Sequence, residues 1–194
     1  GVVYSEPRLF LKKSSTFPNP IYAMLDSNIL DQVRGIFANL DAQYTFLTSI
    51  DKNREEAHEM IDFINDFAST SSHINVAHTE ATADKLEFSI LKNDEHTGIT
   101  FRGIPNGHEF TSLLLAILNA DGKGKNLPDE AIARRIKALK GNVKLQTYVS
   151  LTCTNCPDIV QALNIMAIIN PNISHEMIDG ALFQAEADAM KIQA

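Results

Sequence analysis

No stretch of this 194-residue sequence approaches the ~18 consecutive apolar residues that a membrane-spanning helix requires. Positive charge is short as well: Lys+Arg 17 against Asp+Glu 24 gives a formal charge of −7. That balance argues against nucleic acid or an anionic membrane as the main partner, because clustered basic residues are what hold both. Cysteine is scarce, and two residues cannot build the framework of a disulfide-rich secreted domain. There is no G-x-G-x-x-G, no His-Glu-x-x-His and no nucleophile elbow, so the usual dinucleotide, zinc-hydrolase and serine-hydrolase signatures are missing. Asp121-Gly122-Lys123-Gly124-Lys125 lacks the spacing and trailing Ser/Thr of a phosphate-binding loop and reads as a flexible connection. Hydrophobic residues at 44% and charged residues at 21% are ordinary globular values, which excludes disorder as the main state. What remains is a soluble, acidic, intracellular α/β protein with one cysteine pair.

Residues 1–23 differ from the rest. They hold Pro7, Pro18 and Pro20, a Ser14-Ser15-Thr16 run and a local charge of +2. This segment reads as an extension or leader outside the fold, with Met24 a natural start; the alternative is an arm docking on a neighbour through Phe10 and Phe17. Beyond it, Asp26 or Ser27 is placed to cap a helix bearing Ile29, Leu30, Val33, Ile36, Phe37 and Leu40. Residues 44–50 are rich in β-branched and aromatic side chains and read as a strand. Met60, Phe63, Ile64 and Phe67 follow at helical spacing. Three short strands are expected at 74–78, 86–91 and 98–102, then a helix from about His108 with Phe110, Leu114, Ile117 and Leu118 on one face.

After the glycine-lysine loop the pattern restarts. A helix is expected over 128–139, with Pro128 in its first turn and acids beside it. Val143, Leu145, Thr147 and Val149 alternate with polar residues as a half-buried strand. Cys156–Ile169 reads as a helix, and a strand at 173–178 and a helix at 182–192 close the chain. Helix–strand–helix thus occurs twice, which implies two related α/β units, 24–122 and 123–194, rather than one continuous sheet. After its strand the second unit has Cys153-Thr154-Asn155-Cys156, whereas the first has Asp51-Lys52-Asn53-Arg54. Only one copy can do thiol chemistry.

The cysteine pair lies where a strand ends and a helix begins, with Pro157 in the first turn, where a missing N–H costs little. Free backbone N–H groups and the helix dipole favour negative charge there and lower the pKa of the first thiol. Two intervening residues let the second sulfur reach the first and resolve a mixed disulfide. Cys153 is therefore assigned as the exposed, attacking thiol and Cys156 as the more buried, resolving one. The competing readings are a metal site and inert core thiols. Zinc takes four ligands, and the nearest downstream histidine is His175, followed by Glu176. His58, His73, His78 and His96 read as scattered surface histidines.

Gly107-His108-Glu109-Phe110-Thr111-Ser112-Leu113 and the run from Ser150 through Cys153 and Cys156 to Asn164 resemble the N-terminal domain of the F component of alkyl hydroperoxide reductase. Asn170-Pro171-Asn172-Ile173, Ile178-Asp179-Gly180 and Met24-Leu25-Asp26 extend the resemblance over about 24–194. It implies two contiguous thioredoxin-like folds, only the second with a C-x-x-C, in a bacterial, cytoplasmic protein. It also implies a dithiol carrier that takes electrons from a flavin-containing, NADH-oxidising portion of the same polypeptide and passes them to a peroxiredoxin. In that reading this chain holds no cofactor, and FAD and NADH belong to the C-terminal portion, without which the NADH-dependent reaction is not completed. The matching positions are Cys153 and Cys156, and Glu109 corresponds to an acidic residue near the dithiol, where a carboxylate relays protons or shifts a thiol pKa. The same-chemistry rival is a general thioredoxin- or glutaredoxin-like reductant; the rival from another class is a zinc-stabilised protein-binding module.

The family continues through a Val-Pro step, whose cis proline lies against the dithiol, to a terminal β-hairpin. This sequence ends at Ala194 and has no proline after Pro171. The expectation is a second unit truncated before its hairpin, with an unpaired sheet edge that favours a homodimer.

Overall fold

The side chain of Asp26 accepts the Ile29 N–H at 3.0 Å and starts helix α1 (Ser27–Ile36), as its position before an apolar-periodic segment predicts. The computed structural model describes residues 25–192, so the expected extension at 1–23 lies outside the described residues. Strand β1 (Tyr44–Ile50), helix α2 (Ala57–Ala68) and strand β2 (Ile74–His78) form a parallel βαβ unit. Strands β3 (Leu86–Lys92) and β4 (Glu95–Arg102) add an antiparallel hairpin on the other side of β1. Its two-residue turn places Asn93 and Asp94 at φ +49° and +67°, the paired left-handed conformation that matches strand twist. A 3-10 turn (Gly107–Glu109) leads into α3 (Phe110–Ala120).

Alternation sets the core. Tyr44, Phe46 and Thr48 of β1 and Leu86, Phe88 and Ile90 of β3 are buried, and they meet Met60, Phe63, Ile64 and Phe67 of α2. Phe46 packs between Phe67 and Phe88 at centroid distances of 5.7 and 5.1 Å. Such a buried aromatic cluster adds to its area term roughly 0.5–1.5 kcal/mol per pair.

The second half supplies α4 (Glu130–Lys137), β5 (Val143–Val149), α5 (Cys156–Ile169), β6 (Ile173–Asp179) and α6 (Gln184–Ala189). The expectation of separate sheets is overturned: all six strands form one sheet in the order β2-β1-β3-β4-β6-β5. The joint is a parallel pairing of β4 with β6, from Ile99↔His175 to Arg102↔Ile178. Gly98 makes that approach feasible. Its φ is +84°, and a Cβ there would stand 2.7 Å from the Ile173 carbonyl oxygen. Pairing β4 with β6 also removes two exposed strand edges. Among the described residues β5 pairs with β6 alone, so its outer edge is open.

Several boundaries differ from expectation, most of them by one to three residues. Pro128 precedes α4 instead of lying in its first turn, because the Asp129 side chain caps Ile132 N at 2.8 Å. Strand β4 starts at Glu95, since the tight turn pairs even its polar first residues with β3. Helix α6 is shorter than 182–192. No helix among the described residues is long and apolar enough to cross a membrane.

Candidate redox site

Strand β5 ends at Val149 and α5 begins at Cys156, and the chain between them is tightly wired. Cys153 N donates to Ser150 O at 2.9 Å, and the Ser150 and Thr152 hydroxyls lie 2.9 Å apart. Cys153 and Cys156 are joined by a disulfide, with Cα atoms 5.5 Å apart. No side chain caps α5. Instead Cys156 N–H donates to Cys153 Sγ at 3.2 Å, so the sulfur takes the place of a cap acceptor at the positive end of the helix. Pro157 lies in the first turn. Both cysteines are half-buried; Cys156 is the one packed against the core.

The first unit repeats this geometry without sulfur. Six residues separate β1 from α2, the same number as separate β5 from α5. Arg54 N donates to Asp51 O at 3.0 Å, as Cys153 N does to Ser150 O. This register corrects the sequence pairing by three positions: Arg54 corresponds to Cys153 and Ala57 to Cys156. The sequence reading set Asp51–Arg54 against Cys153–Cys156, whereas the strand and helix ends define the true correspondence.

Glu109 is fully buried at the start of α3. The turn that carries it docks on the redox loop, where His108 N donates to Leu151 O at 3.2 Å. Gly107 is required there: its φ is +56°, and a Cβ would lie 2.7 Å from Leu151 O. Neither carboxylate oxygen of Glu109 has a hydrogen-bond partner of good geometry. Burial pushes its pKa up, and the nearby Ser112 hydroxyl opposes this without reversing it. Ser112 in turn accepts from Gln161 Nε2 of α5 at 3.3 Å, so a polar path leads from the dithiol helix toward Glu109.

His175 lies fully buried in β6, with Nδ1 bonded to Asn164 of α5 at 2.7 Å and Nε2 to Thr147 of β5 at 2.8 Å. Burial pulls its pKa down to about 4, with Glu176 opposing. Both ring nitrogens are thus engaged, and among the described residues no three His, Cys, Asp or Glu side chains converge as metal ligands would. Sequence reasoning weighed His175 only as a ligand and missed its structural role; its place in an alternating strand was the available signal. It also missed Asp179, a buried acid whose pKa burial raises, at the end of β6. Asp179 lines a groove of about 420 Å³ together with Ser150 and Thr152. The flavin and pyridine nucleotide implied by the resemblance do not fit the described residues. The turns before α2 and α5 present polar side chains or sulfur, and none of the strand-to-helix connections has the G-x-G-x-x-G spacing that cradles a pyrophosphate.

A two-residue-spaced disulfide at the N-terminus of a helix, within a βαβ unit of a mixed sheet, defines a thioredoxin-like dithiol/disulfide oxidoreductase domain. No protein-family model matches the chain. The N-terminal domain of the alkyl hydroperoxide reductase AhpF of Enterococcus faecalis superimposes with a TM-score of 0.78 and 32% identity, covering 88% of this chain and 87% of that one. The F component of alkyl hydroperoxide reductase of Staphylococcus epidermidis is 41% identical over 166 residues, 85% of this chain and 32% of the relative. A protein disulfide oxidoreductase from Aeropyrum pernix, at 19% identity and a TM-score of 0.72 over 86% of this chain and 81% of that one, shares the fold. The chain belongs to the AhpF family of alkyl hydroperoxide reductases, in its N-terminal domain. It spans about a third of the length of the curated relatives it matches.

Proposed function

We propose that this domain carries electron pairs from an external dithiol, supplied by a flavin-dependent, NADH-oxidising reductase portion of a longer polypeptide, to the disulfide of a peroxiredoxin. The observation that supports the reading most is the hydrogen bond from Cys156 N–H to Cys153 Sγ at the start of α5. A donor and a helix dipole aimed at one sulfur favour its thiolate, the attacking form. Cys153 is the nucleophile. Its thiolate attacks one sulfur of the partner disulfide; the partner S–S bond breaks and the departing thiolate takes a proton. Cys156, as thiolate, then attacks Cys153 Sγ and displaces the second partner sulfur, which is protonated in turn. Two electrons have passed to the partner, and Cys153–Cys156 is oxidised.

Glu109 serves in this reading as the proton acceptor that assists Cys156, and a carboxyl raised by burial suits that task. The two units meet at 122/123, and a cytoplasmic location fits the chemistry, because reduced dithiols persist in that compartment.

The test mixes prereduced protein with oxidised peroxiredoxin and follows thiols by alkylation and mass. One partner disulfide reduced per Cys153–Cys156 formed is the expected outcome. The Cys156→Ser variant should trap a mixed disulfide through Cys153. Equal reduction of unrelated protein disulfides, with no preference for peroxiredoxin, would replace this reading with a general disulfide reductase.

A further inference from the structure

Ser150 opens the turn that ends at the nucleophile, and both its carbonyl and its hydroxyl hold that turn. The carbonyl accepts the Cys153 N–H at 2.9 Å. The hydroxyl accepts the Thr152 N–H at 3.4 Å and lies 2.9 Å from Thr152 Oγ1. A side-chain oxygen bonded to the backbone two residues on is a turn device that Asp, Asn and Ser all supply.

The first unit carries an independent copy of this device. By the register of strand and helix ends, Asp51 stands where Ser150 does. Its carbonyl accepts Arg54 N at 3.0 Å, and its Oδ1 accepts Asn53 N at 3.0 Å. Its Oδ2 accepts Asp84 N at 3.0 Å. These N–H groups, that of Asn53 foremost, hold the Asp51 carboxyl below the usual carboxylate range. A charged acceptor therefore takes up the donors of the first turn. At the nucleophile's position that turn has Arg54, whose Nη2 donates to Leu182 O at 3.1 Å and whose Cζ lies 4.9 Å from the Phe183 ring centroid. One scaffold thus occurs with an acid and with a hydroxyl at its first position, and the hydroxyl accompanies the sulfur.

We infer that Ser150 is a positioning residue for Cys153: it fixes the turn as Asp51 fixes its counterpart, yet without charge, so the thiolate meets no rival anion in its own turn. The inference rests on the disulfide-carrier reading for the role of Cys153. A carboxylate at position 150 keeps the backbone and disfavours a thiolate three residues on. Loss of the acceptor loosens the turn and leaves its charge alone. The titratable groups on the elements around this turn are Tyr148 of β5, His108 and Glu109 of the 3-10 turn, Cys156 and Asp158 of α5, and Asp179 of β6. All of them stay in place in the variants, so the comparison isolates position 150.

The experiment reduces the full chain and follows iodoacetamide alkylation of Cys153 against pH, read by mass, with reduction of oxidised peroxiredoxin assayed alongside. Ser150→Asp should raise the Cys153 thiol pKa by about one unit, which slows alkylation about tenfold at any pH below it. Ser150→Ala should keep the wild-type pKa and lose kcat at every pH. Ser150→Asn, a neutral acceptor, should keep that pKa and recover kcat. A wild-type pKa in folded Ser150→Asp overturns the inference, and so does an equal rise in Ser150→Asn. If Ser150→Asp fails to fold, the two turns are not interchangeable and the inference falls with them. Undiminished kcat in Ser150→Ala removes the positioning role. Wild type that reduces no protein disulfide overturns the carrier reading, and the alkylation pKa values still decide position 150.

Discussion

The turns after β1 and β5 have the same length and share a first hydrogen bond, yet they treat the helix that follows differently. In the first, Ala57 N donates to the carbonyl of Arg54 at 3.2 Å. In the second, the equivalent N–H, that of Cys156, donates to a side-chain sulfur. One backbone plan therefore gives either a closed turn or a helix terminus whose free donor acts on a thiol. The surroundings differ as well. Asp51, Glu55 and Glu56 crowd the first turn with acid, whereas the Cys153 turn carries hydroxyls. The cysteine-free unit is not simply inert, because Arg54, at the nucleophile's own position, grips the second unit.

The largest expected effect comes from breaking that asymmetry. Cys153→Ser should lower disulfide transfer roughly a thousandfold or more, as loss of a nucleophile does. Grafting Arg54→Cys and Ala57→Cys into that variant should not restore transfer, since neighbouring carboxylates disfavour a thiolate and the contacts of Arg54 with Leu182 and Phe183 are lost. Recovered turnover in the graft would show that backbone placement alone suffices.

A second prediction sharpens the contrast in stability. His175 ties α5 to β5 and β6 in its neutral form, with a folded pKa near 4 against an ordinary 6.5. The unfolded chain binds this proton more readily, so the stability is complete above about pH 6.5 and is lost as pH falls toward 4. Roughly 3 kcal/mol should be lost over that window, by about 1.36 kcal/mol per pKa unit. Urea unfolding at several pH values checks this, and a His175→Gln variant should flatten the dependence.

The smallest effect concerns the docking of the Glu109 turn. Gly107→Ala should cost about 1–2 kcal/mol from its left-handed backbone, plus the clash with Leu151 O. Gly35→Ala in α1 meets nothing within 4 Å and should stabilise by about 1 kcal/mol. Thermal denaturation of the pair separates the two cases.

The sequence carried β1, β2, β5 and α5 with their bounds, because each couples a clear period to a turn or to a cysteine junction. The redox pair was legible for the same reason: its chemistry is local. What depended on tertiary approach was not. Nothing in Glu95, His96 and Thr97 announces a strand until the Asn93-Asp94 turn folds them onto β3. The single sheet hinges on Gly98 lying against a carbonyl 75 residues away in sequence. Arg54 looked like part of a polar loop, and two of its partners, Leu182 and Phe183, lie in the other unit. The resemblance supplied Glu109, whose complete burial is a three-dimensional fact.

The most direct test of the central claim is a redox titration of the chain in thiol/disulfide buffers, read by alkylation and mass. Cys153 and Cys156 should lose reactivity together in one transition, with roughly 30 mV per tenfold change in the oxidised-to-reduced ratio, the slope of a two-electron couple. Independent titration of the two thiols, or a pair that stays alkylatable under mild oxidant, would contradict the dithiol carrier.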